Sequence, residues 1–344
     1  RLDCEPRPEI TARFPGGVIG VSDTTRALAA LAGYHRGQCS ATVIAVTGSN
    51  GKTTVKRMIS HILSKRLAGT VSPGSFNNHI GVPTTLLGGS TSDDYMICEI
   101  GSSAPGEVAA LSRIARPDIA VITGIGPSHL EKLGSVERIA AEKASILDAL
   151  SGDGMAVIWA DSDLLARAAR AYSCRSVRFG ESEAAELRLT SWQPDGKAQR
   201  FEINGHLPVS LPLAGKHNAM NAMAAIAVAQ RMGFSPEEAA GTLADVSGME
   251  MRLEWIDCGK VTVINDAYNA NPASMLAAAA VLSASTAKRR VMLAGDMLEL
   301  GEAAEQLHTE TGRQIGQMNI DLLIGIGPLG RYIAKGAEDC TTAT

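Results

Sequence analysis

The chain has 344 residues, a length that indicates two domains or slightly more. Its content of 45% hydrophobic and 20% charged residues supports folded cores and excludes a disordered chain. The formal net charge of -4 excludes the broad basic surface of a nucleic-acid-binding protein, but it leaves room for a local phosphate site. No apolar run reaches the ~18 residues of a membrane span. We expect a cytoplasmic protein, in whose reducing environment thiols stay free. Its six scattered cysteines are expected to be free thiols.

Residues 1–40 are expected to be the end of an N-terminal domain. Residues 18–21 have the composition of a short strand, and Ser22 or Asp23 can cap an Ala-rich helix that runs to Gly33. One strand and one helix cannot close a core by themselves. The chain also does not begin with methionine, so we expect truncation or processing at this end.

Residues 41–247 alternate between apolar strands, glycine turns and helical patterns. Three strands are predicted, at 42–46, 95–100 and 119–123. Their nearly continuous apolar character is typical of a parallel sheet that is covered by helices on both faces. Residues 185–213 instead alternate between apolar and polar positions and contain turn residues, which predicts a small antiparallel insert. A long helix is predicted from Asn218 to about Arg231.

Residues 248–344 repeat the strand and helix alternation. Strands are predicted at 261–264, 290–294 and 321–326, with helices between them. This pattern indicates a second α/β domain. Since it stops soon after the third strand, we expect this domain to be incomplete.

Residues 47–54, Thr-Gly-Ser-Asn-Gly-Lys-Thr-Thr, follow a strand and open a helix, which is the context of a phosphate-binding loop. Backbone amides at a helix N-terminus bind anionic oxygens, Lys52 would reach the β- and γ-phosphates, and Thr53 would ligate Mg²⁺. Val46 stands where the strict motif has its first glycine, and an ordinary turn is the alternative. The predicted ATP-binding residues of this loop are Gly48, Ser49, Asn50, Gly51, Lys52, Thr53 and Thr54.

Three further side chains are candidates because of their position after strands or in a helix. Glu99 ends a buried strand, where a carboxylate can hold Mg²⁺ or simply cap the next helix. His129 also follows a strand, and a lone histidine at such a place is more often a hydrogen-bonding loop residue than a metal ligand. Lys143 falls within the helical pattern 136–150 and, taken alone, is interpreted as a solvated surface lysine.

The later part of the chain has denser polar clusters. Asn218 and Asn221 lie about one helical turn apart, on one face of the predicted helix. Residues 266–272, Asp-Ala-Tyr-Asn-Ala-Asn-Pro, and residues 295–302, Gly-Asp-Met-Leu-Glu-Leu-Gly-Glu, each follow a strand. Such clusters indicate a binding site, with an ordinary polar loop as the alternative.

Taken in this order, these segments resemble the Mur ligase family of ATP-dependent amide-bond-forming enzymes. Residues 47–54 resemble its phosphate loop. Residues 76–83, 268–272 and 295–302 are most similar to the members that add D-alanyl-D-alanine to UDP-N-acetylmuramoyl-tripeptide. The resemblance extends over nearly the whole chain, from about Val18 onward.

The resemblance implies three domains. The first binds the UDP-sugar and is represented here by residues 1–40. The second is a central, mostly parallel P-loop-type α/β domain that binds ATP, residues 41–247. The third is a Rossmann-like α/β domain that binds the amine substrate, residues 248–344.

The resemblance also implies roles for single residues. Lysine, glutamate and histidine side chains are expected to act in catalysis, namely Lys52, Glu99, His129 and Lys143. Those expected to hold Mg²⁺ are Thr53, Glu99, His129 and Lys143, the last as a carbamylated lysine whose charge has become negative. Asn218 and Asn221 match residues near the adenine, and Arg252 and Asp266 match contacts to phosphate and ribose. Substrate contacts are expected from Asn77, Asn78, Tyr268, Asn269 and Asn271.

The chain departs from the family pattern at three positions. His79 stands where relatives usually have an acidic residue, Gly124 replaces an Asn, and Trp159 replaces another Asn. The change at Gly124 puts one contact to ATP in doubt. The other two changes are expected to tune substrate contacts or local packing.

The implied reaction uses ATP and Mg²⁺ to phosphorylate the carboxylate of the tripeptide, after which the amine of D-alanyl-D-alanine displaces phosphate. A monomer is expected, without a nucleic-acid partner or membrane insertion. One alternative is a family member with another amine acceptor, such as a diaminopimelate- or lysine-adding ligase or a folylpolyglutamate synthase. The other is a nucleotide-binding module without ligase activity.

Overall fold

The computed structural model describes residues 13–14 and 16–338. Residues 1–12, part of the predicted N-terminal unit, lie outside the described residues, as do the last residues of the predicted C-terminal unit, 339–344. Within the described part, no helix is both long and apolar enough to cross a membrane.

The described part contains a nine-stranded sheet with the strand order β2-β3-β1-β4-β5-β6-β7-β8-β9. The strands are β1 Thr42–Thr47, β2 Gly69–Val71, β3 Tyr95–Glu99, β4 Ile119–Ile122, β5 Met155–Trp159, β6 Arg175–Gly180, β7 Leu187–Asp195, β8 Ala198–Ile203 and β9 Leu207–Leu211. Strands β1 to β6 are parallel to their neighbours, whereas β8 pairs antiparallel with both β7 and β9. The predicted α/β class with a mostly parallel sheet is therefore confirmed. The predicted antiparallel insert extends this same sheet, since β7 also pairs with β6.

Helices flank the sheet and lead into the C-terminal part of the chain. They are α1 Thr24–Arg36, α2 Lys52–Leu63, α3 Gly81–Gly88, α4 Glu107–Ala115, α5 Leu130–Leu133, α6 Val136–Ala144, α7 Asp163–Ala169, α8 Lys216–Arg231, α9 Pro236–Thr242, α10 Pro272–Ser283, α11 Ala304–Gly316 and α12 Gly330–Glu338.

Strand β1 shows why the sheet is buried on both faces. Its residues Ile44 and Val46 pack into one apolar core, and the alternate residues Val43 and Ala45 pack into the other. Successive side chains of a strand point to opposite faces, so an apolar residue is required at every position. The carboxyl ends of β1, β3, β4 and β5 consequently meet at one edge, where ligands of such sheets gather.

The N-terminal residues differ from the prediction. Residues 18–21 do not form a strand: they belong to no sheet of the described residues, and Ile19 is 89% exposed. The predicted helix is present as α1, and its cap is Asp23, whose carboxylate accepts bonds from the N–H groups of Thr25 and Arg26. Ala32 of α1 is buried in the same core as Val43.

The C-terminal part has two small sheets in its described residues. β12 Val291–Ala294 and β13 Leu322–Gly325 pair in parallel, and α10, α11 and α12 supply residues of the adjoining core. The predicted strand at 261–264 is present as β11 Thr262–Asn265. It pairs antiparallel with β10 Glu254–Asp257 and forms a separate hairpin.

Candidate active site

Loop 47–54 connects β1 to the N-terminus of α2. Gly51 adopts a left-handed conformation with φ of 80° at the residue before the helix. The ammonium of Lys52 folds back and donates to the carbonyl oxygens of Gly48 at 2.9 Å and Ser49 at 3.4 Å. The end of β4 braces the loop, because Ser49 donates its N–H to the carbonyl of Gly124 at 2.9 Å. The loop is thus held in the strand-turn-helix geometry that the sequence predicted.

Gly51 is packed so closely against a neighbouring residue that there is no room for a side chain at this position. A Cβ atom at Gly51 would lie 2.4 Å from Oδ1 of Asn221. Asn221 is buried and donates its amide to Oδ1 of Asn218 at 3.1 Å, as the helical spacing predicted. The amide of Asn218 in turn donates to the carbonyl of Ala214 at 2.8 Å. The two asparagines therefore form a fixed polar wall beside the loop.

The carboxylate of Glu99 is buried at the carboxyl end of β3. Its Oε1 accepts a bond from the amide of Asn77 at 3.0 Å. Its Oε2 lies 3.1 Å from the ammonium of Lys56 but has no hydrogen bond to any described residue. Lys56 also donates to the carbonyls of Ser72 at 2.9 Å and Gly74 at 2.5 Å. Glu99 is thus a buried carboxylate whose Oε2 faces the positive charge of Lys56.

The charges near the loop act on Lys52. Removal of water from the ammonium lowers its pKa, the carboxylate of Glu99 raises it, and the guanidinium of Arg252 lowers it. Glu99, Lys52 and Arg252 therefore belong to one electrostatic cluster, although they come from β3, α2 and the residues before β10.

Lys143 is buried, and its interpretation as a solvated lysine is wrong. Its side chain is 1% exposed, and its Nζ donates to the hydroxyl of Ser102 at 2.7 Å. Burial, aided by the charge of Lys52, lowers the pKa of Lys143 to about 7. The helical pattern could not reveal this burial, because α4 and the loop before it cover α6 from outside the local sequence.

His129 and Glu299 meet across the two parts of the chain. His129 has φ of 56° and Glu299 has φ of 60°, both in the region that non-glycine residues rarely adopt. Nδ1 of His129 hydrogen bonds to Oε2 of Glu299, and the N–H of Glu131 donates to the carbonyl of Glu299 at 3.1 Å. The segment 295–302 thus docks onto the turn that carries His129.

A second bridge joins loop 47–54 to the N-terminus of α10. The amide of Asn50 donates to Oδ1 of Asn271 at 3.1 Å, and the amide of Asn271 donates to Oδ1 of Asn50 at 2.7 Å. Asn271 also caps α10, accepting the N–H of Ser274 at 3.0 Å. We call this reciprocal amide pair the Asn50–Asn271 bridge.

A cavity of about 240 Å³ opens between the two parts of the chain beside loop 47–54. Several predicted nucleotide residues line it, namely Ser49, Asn50, Gly51, Thr54, Asn218, Asn221, Arg252 and Asp266. Asp266 accepts the N–H of Leu253 at 3.0 Å, and burial raises its pKa to about 6 in spite of that bond and of Arg252. The guanidinium of Arg252 lies 4.2 Å from the centre of the Tyr268 ring.

The predicted substrate residues have different hydrogen-bond partners. Tyr268 bonds to the hydroxyl of Ser75 at 2.6 Å, and Asn77 contacts Glu99. Asn78 accepts the N–H of Gly81, the first residue of α3, at 2.9 Å, and Asn269 accepts the N–H of Ala270 in its own turn. Among the described residues, no three His, Cys, Asp or Glu side chains converge as a metal site.

Comparison with known proteins identifies the family. The model of the Mur ligase middle domain matches residues 46–229, and that of the Mur ligase glutamate ligase domain matches residues 251–343. The chain is 42% identical over 324 residues to the UDP-N-acetylmuramoyl-tripeptide–D-alanyl-D-alanine ligase of Bacillus subtilis, which covers 93% of this chain and 70% of the relative. The chain belongs to the Mur ligase family. The corresponding ligase of Escherichia coli is 34% identical over 323 residues, covering 92% of this chain and 71% of that protein.

Solved structures of Mur ligases share the fold. The Acinetobacter baumannii MurF structure superposes with a TM-score of 0.89 at 34% identity, covering 93% of this chain and 71% of that chain. The MurF ligase of Thermotoga maritima in complex with ADP gives a TM-score of 0.84 at 27% identity, covering 92% and 74% of the two chains. The large mostly parallel sheet is thus shared with Mur ligases.

Sequence reasoning missed several side chains of this Mur ligase site. Lys56 neutralises Glu99, and Ser102 binds Lys143, but neither stands in a motif. Two departures from the family pattern are neighbours in space, since a Cβ at Gly124 would lie 3.6 Å from the ring of Trp159. Their positions at the ends of the neighbouring strands β4 and β5 were the only signal that could have paired them.

Proposed function

We propose that the chain is an ATP-dependent, ADP-forming ligase that joins D-alanyl-D-alanine to UDP-N-acetylmuramoyl-tripeptide in peptidoglycan precursor synthesis. The observation that carries the proposal is loop 47–54, which turns Lys52 toward its own carbonyls at the N-terminus of α2 beside the cavity. The Bacillus subtilis relative, a D-alanyl-D-alanine-adding ligase 42% identical to this chain, supplies the proposed substrates. We propose a cytoplasmic, monomeric protein of three units, residues 1–40, 41–247 and 248–344, the last Rossmann-like.

ATP is proposed to bind with its phosphates on loop 47–54. No side chain caps the start of α2, and a helix N-terminus favours anions. Lys52 would then leave the carbonyls of Gly48 and Ser49 for the β- and γ-phosphates. Asn218 and Asn221 are proposed to bind the adenine, while Arg252 and Asp266 contact phosphate and ribose. Residues from two parts of the chain, which line one cavity, would thus contribute to one nucleotide site.

Mg²⁺ fits the residues that surround Glu99. Among the described residues its buried Oε2 has no partner but the ammonium of Lys56, at 3.1 Å, and Mg²⁺, which prefers oxygen ligands, would take the place of that cation. Thr53, Glu99 and His129 are proposed as ligands, with Lys143 once carbamylated, a reaction that needs the neutral amine. The pKa of Lys143, about 7, supplies that neutral form near physiological pH. When bound, Mg²⁺ would neutralise the phosphate charges during transfer.

The chain's own residues are proposed to bring two anions together. Lys52 stabilises the charge on the γ-phosphate while the carboxylate of the tripeptide attacks it, forming an acyl phosphate and ADP. The amine of D-alanyl-D-alanine then attacks the acyl carbon and phosphate leaves. Asn77, Asn78, Tyr268, Asn269 and Asn271 are proposed to contact the two substrates. Enclosure between the two parts of the chain would keep water from the acyl phosphate.

Phosphate release from ATP and Mg²⁺ tests the proposal. UDP-N-acetylmuramoyl-tripeptide is supplied with D-alanyl-D-alanine, with lysine or diaminopimelate, or without an amine, and the products are identified by mass. We expect phosphate and the pentapeptide product only with D-alanyl-D-alanine. Ligation of another amine would instead identify a family member with a different acceptor. ATP binding without phosphate release for any acceptor would identify a nucleotide-binding module.

A further inference from the structure

An indole ring forms part of the wall of the nucleotide cavity. Trp159 is the last residue of β5, at the same sheet edge as loop 47–54, and it lines the cavity together with Gly124, Asn218 and Asn221. The side chain is only partly buried, although it borders both apolar cores of the sheet. A large aromatic surface is therefore left facing the cavity.

Polar contacts fix the orientation of this ring. The Nε1–H of Trp159 donates to Oδ2 of Asp161 at 3.2 Å. Asp161 is itself held by the N–H groups of Glu181 and Ser182, each at 2.8 Å. A tryptophan whose N–H is bonded in this way presents a rigid apolar face, so little rotamer entropy is lost when a ligand packs against it.

Gly124 keeps the ring accessible and relates it to loop 47–54. A Cβ at Gly124 would lie 3.6 Å from Cε3 of Trp159, so any longer side chain there would extend along the indole. The carbonyl of Gly124 accepts the N–H of Ser49 at 2.9 Å. Gly124 therefore lies between the indole and the loop that is proposed to hold the phosphates. The buried amides of Asn218 and Asn221 line the same cavity.

We propose that Trp159 packs its indole against the purine base of ATP and that it determines the preference for purine over pyrimidine nucleotides. The inference rests on the proposed ATP binding. A base needs an aromatic or apolar surface for its faces and polar groups for its edge, and the cavity supplies both. Stacking of a base on an aromatic side chain strengthens binding by about 5-fold to 150-fold. The larger face of a purine gains more from this contact than that of a pyrimidine.

Nucleotide titrations of the protein and of Trp159→Phe and Trp159→Leu test the inference. Phe keeps an aromatic face, whereas Leu keeps an apolar side chain without one. Trp192→Leu is the matched control, because Trp192 binds Gln199 at 2.6 Å and does not line the cavity. The ligands are ATP, CTP and inorganic tripolyphosphate, and binding is measured by calorimetry. Tripolyphosphate reports on the loop without a base and also shows that each variant is folded.

We expect Trp159→Leu to weaken ATP binding by about 10-fold or more and to reduce the preference for ATP over CTP, while Trp159→Phe and Trp192→Leu change both little. Tripolyphosphate should bind all variants equally. Quenching of tryptophan fluorescence by ATP should persist in Trp192→Leu and be largely lost in both Trp159 variants. Unchanged ATP affinity in Trp159→Leu would overturn the inference and leave the proposed function intact. Absence of ATP binding by the unsubstituted protein would overturn both.

Discussion

At the scale of the residue, comparing Gly51 with Gly106 distinguishes two costs of adding a side chain to a glycine: backbone strain and steric overlap with a neighbour. Both precede a helix, with φ of 80° and 83°. A Cβ at Gly106 would meet nothing within 4 Å, whereas one at Gly51 would lie 2.4 Å from Asn221, whose amide is tied to Asn218. The left-handed conformation costs a non-glycine residue about 1–2 kcal/mol. Only Gly51 adds a collision to that strain.

We therefore predict that Gly106→Ala lowers the free energy of unfolding by about 1 kcal/mol and that Gly51→Ala lowers it clearly more. Urea denaturation of both variants measures the difference. Adding Asn221→Ala to Gly51→Ala should recover part of the loss, since the overlapping amide is gone. Equal losses for the two glycine substitutions would show that the contact with Asn221 can relax freely.

Lys143 gives a second prediction at this scale, for the dependence of stability on pH. Its pKa of about 7 in the folded protein lies below the ordinary value of 10.5, so the unfolded chain binds more protons between these values. The contribution of Lys143 to the free energy of unfolding must then rise as the pH increases from about 7 to about 10. Relative to Lys143→Met, we expect a gain of about 2 kcal/mol between pH 7 and pH 9.

Urea denaturation in CO₂-free buffer measures this gain, because the amine then stays unmodified. Lys132→Met serves as the control, since Lys132 is exposed on α5. The stability difference between the protein and this control should not vary with pH. A constant difference for Lys143→Met as well would contradict the prediction.

At the scale of the element, the Asn50–Asn271 bridge joins the start of α2 to the start of α10. Reciprocal amide bonds of 2.7 and 3.1 Å connect two side chains that are 221 positions apart in the sequence. Each bond contributes about 1 kcal/mol when both partners are present. The bridge thus couples the nucleotide loop to the C-terminal part of the chain.

A double-mutant cycle on unfolding measures this coupling. For Asn50→Ala and Asn271→Ala we expect an interaction of about 1–2 kcal/mol. Ser274→Ala is the control, because Ser274 takes part in the cap of α10 without touching Asn50. Its effect should add to that of Asn50→Ala within about 0.5 kcal/mol. Additive effects of the two asparagine substitutions would exclude an energetic role of the bridge.

The sequence predicts single helices and strands better than it predicts which strands pair. Apolar runs such as those of β1 and β3 determine buried parallel strands, and the order of strand, loop and helix places loop 47–54 correctly. Pairing depends on distant partners, and the sequence alone does not show them. Among the described residues, no strand pairs with residues 18–21, and they form no strand themselves. β11 pairs with β10, a strand that no pattern had indicated.

In the candidate site, too, contacts within one element are predicted from the sequence, whereas contacts between elements are not. Residues within one element, such as Asn218 and Asn221, are predicted to be neighbours from helical spacing, and they are. The burial of Lys143 and the contact between His129 and Glu299 depend on how separate elements pack together. The local pattern therefore predicted an exposed Lys143, and it did not predict the contact between His129 and Glu299. Motif positions therefore locate a site, and packing decides what each side chain does there.

At the scale of the whole molecule, the cavity for the proposed nucleotide lies between the central sheet and the C-terminal part. Ala273, Ser274 and Ala277 of α10 line it opposite loop 47–54. A ligand in this cavity binds the folded arrangement of both parts and not either part alone. Linkage then requires that binding stabilises both, by about 2.7 kcal/mol at a ligand concentration of 100 times Kd.

We predict that ADP slows amide hydrogen exchange in α10 as well as in α2, although α10 lies outside the central sheet. Exchange measured by mass spectrometry with and without ADP tests this. α12 serves as the internal reference, because none of its residues lines the cavity, and its protection should change less. In Asn271→Ala the protection of α10 should fall while that of α2 persists, since loop 47–54 stays intact. Protection confined to α2 in the unsubstituted protein would mean that the nucleotide binds one part only, and closure of the two parts would then require another substrate.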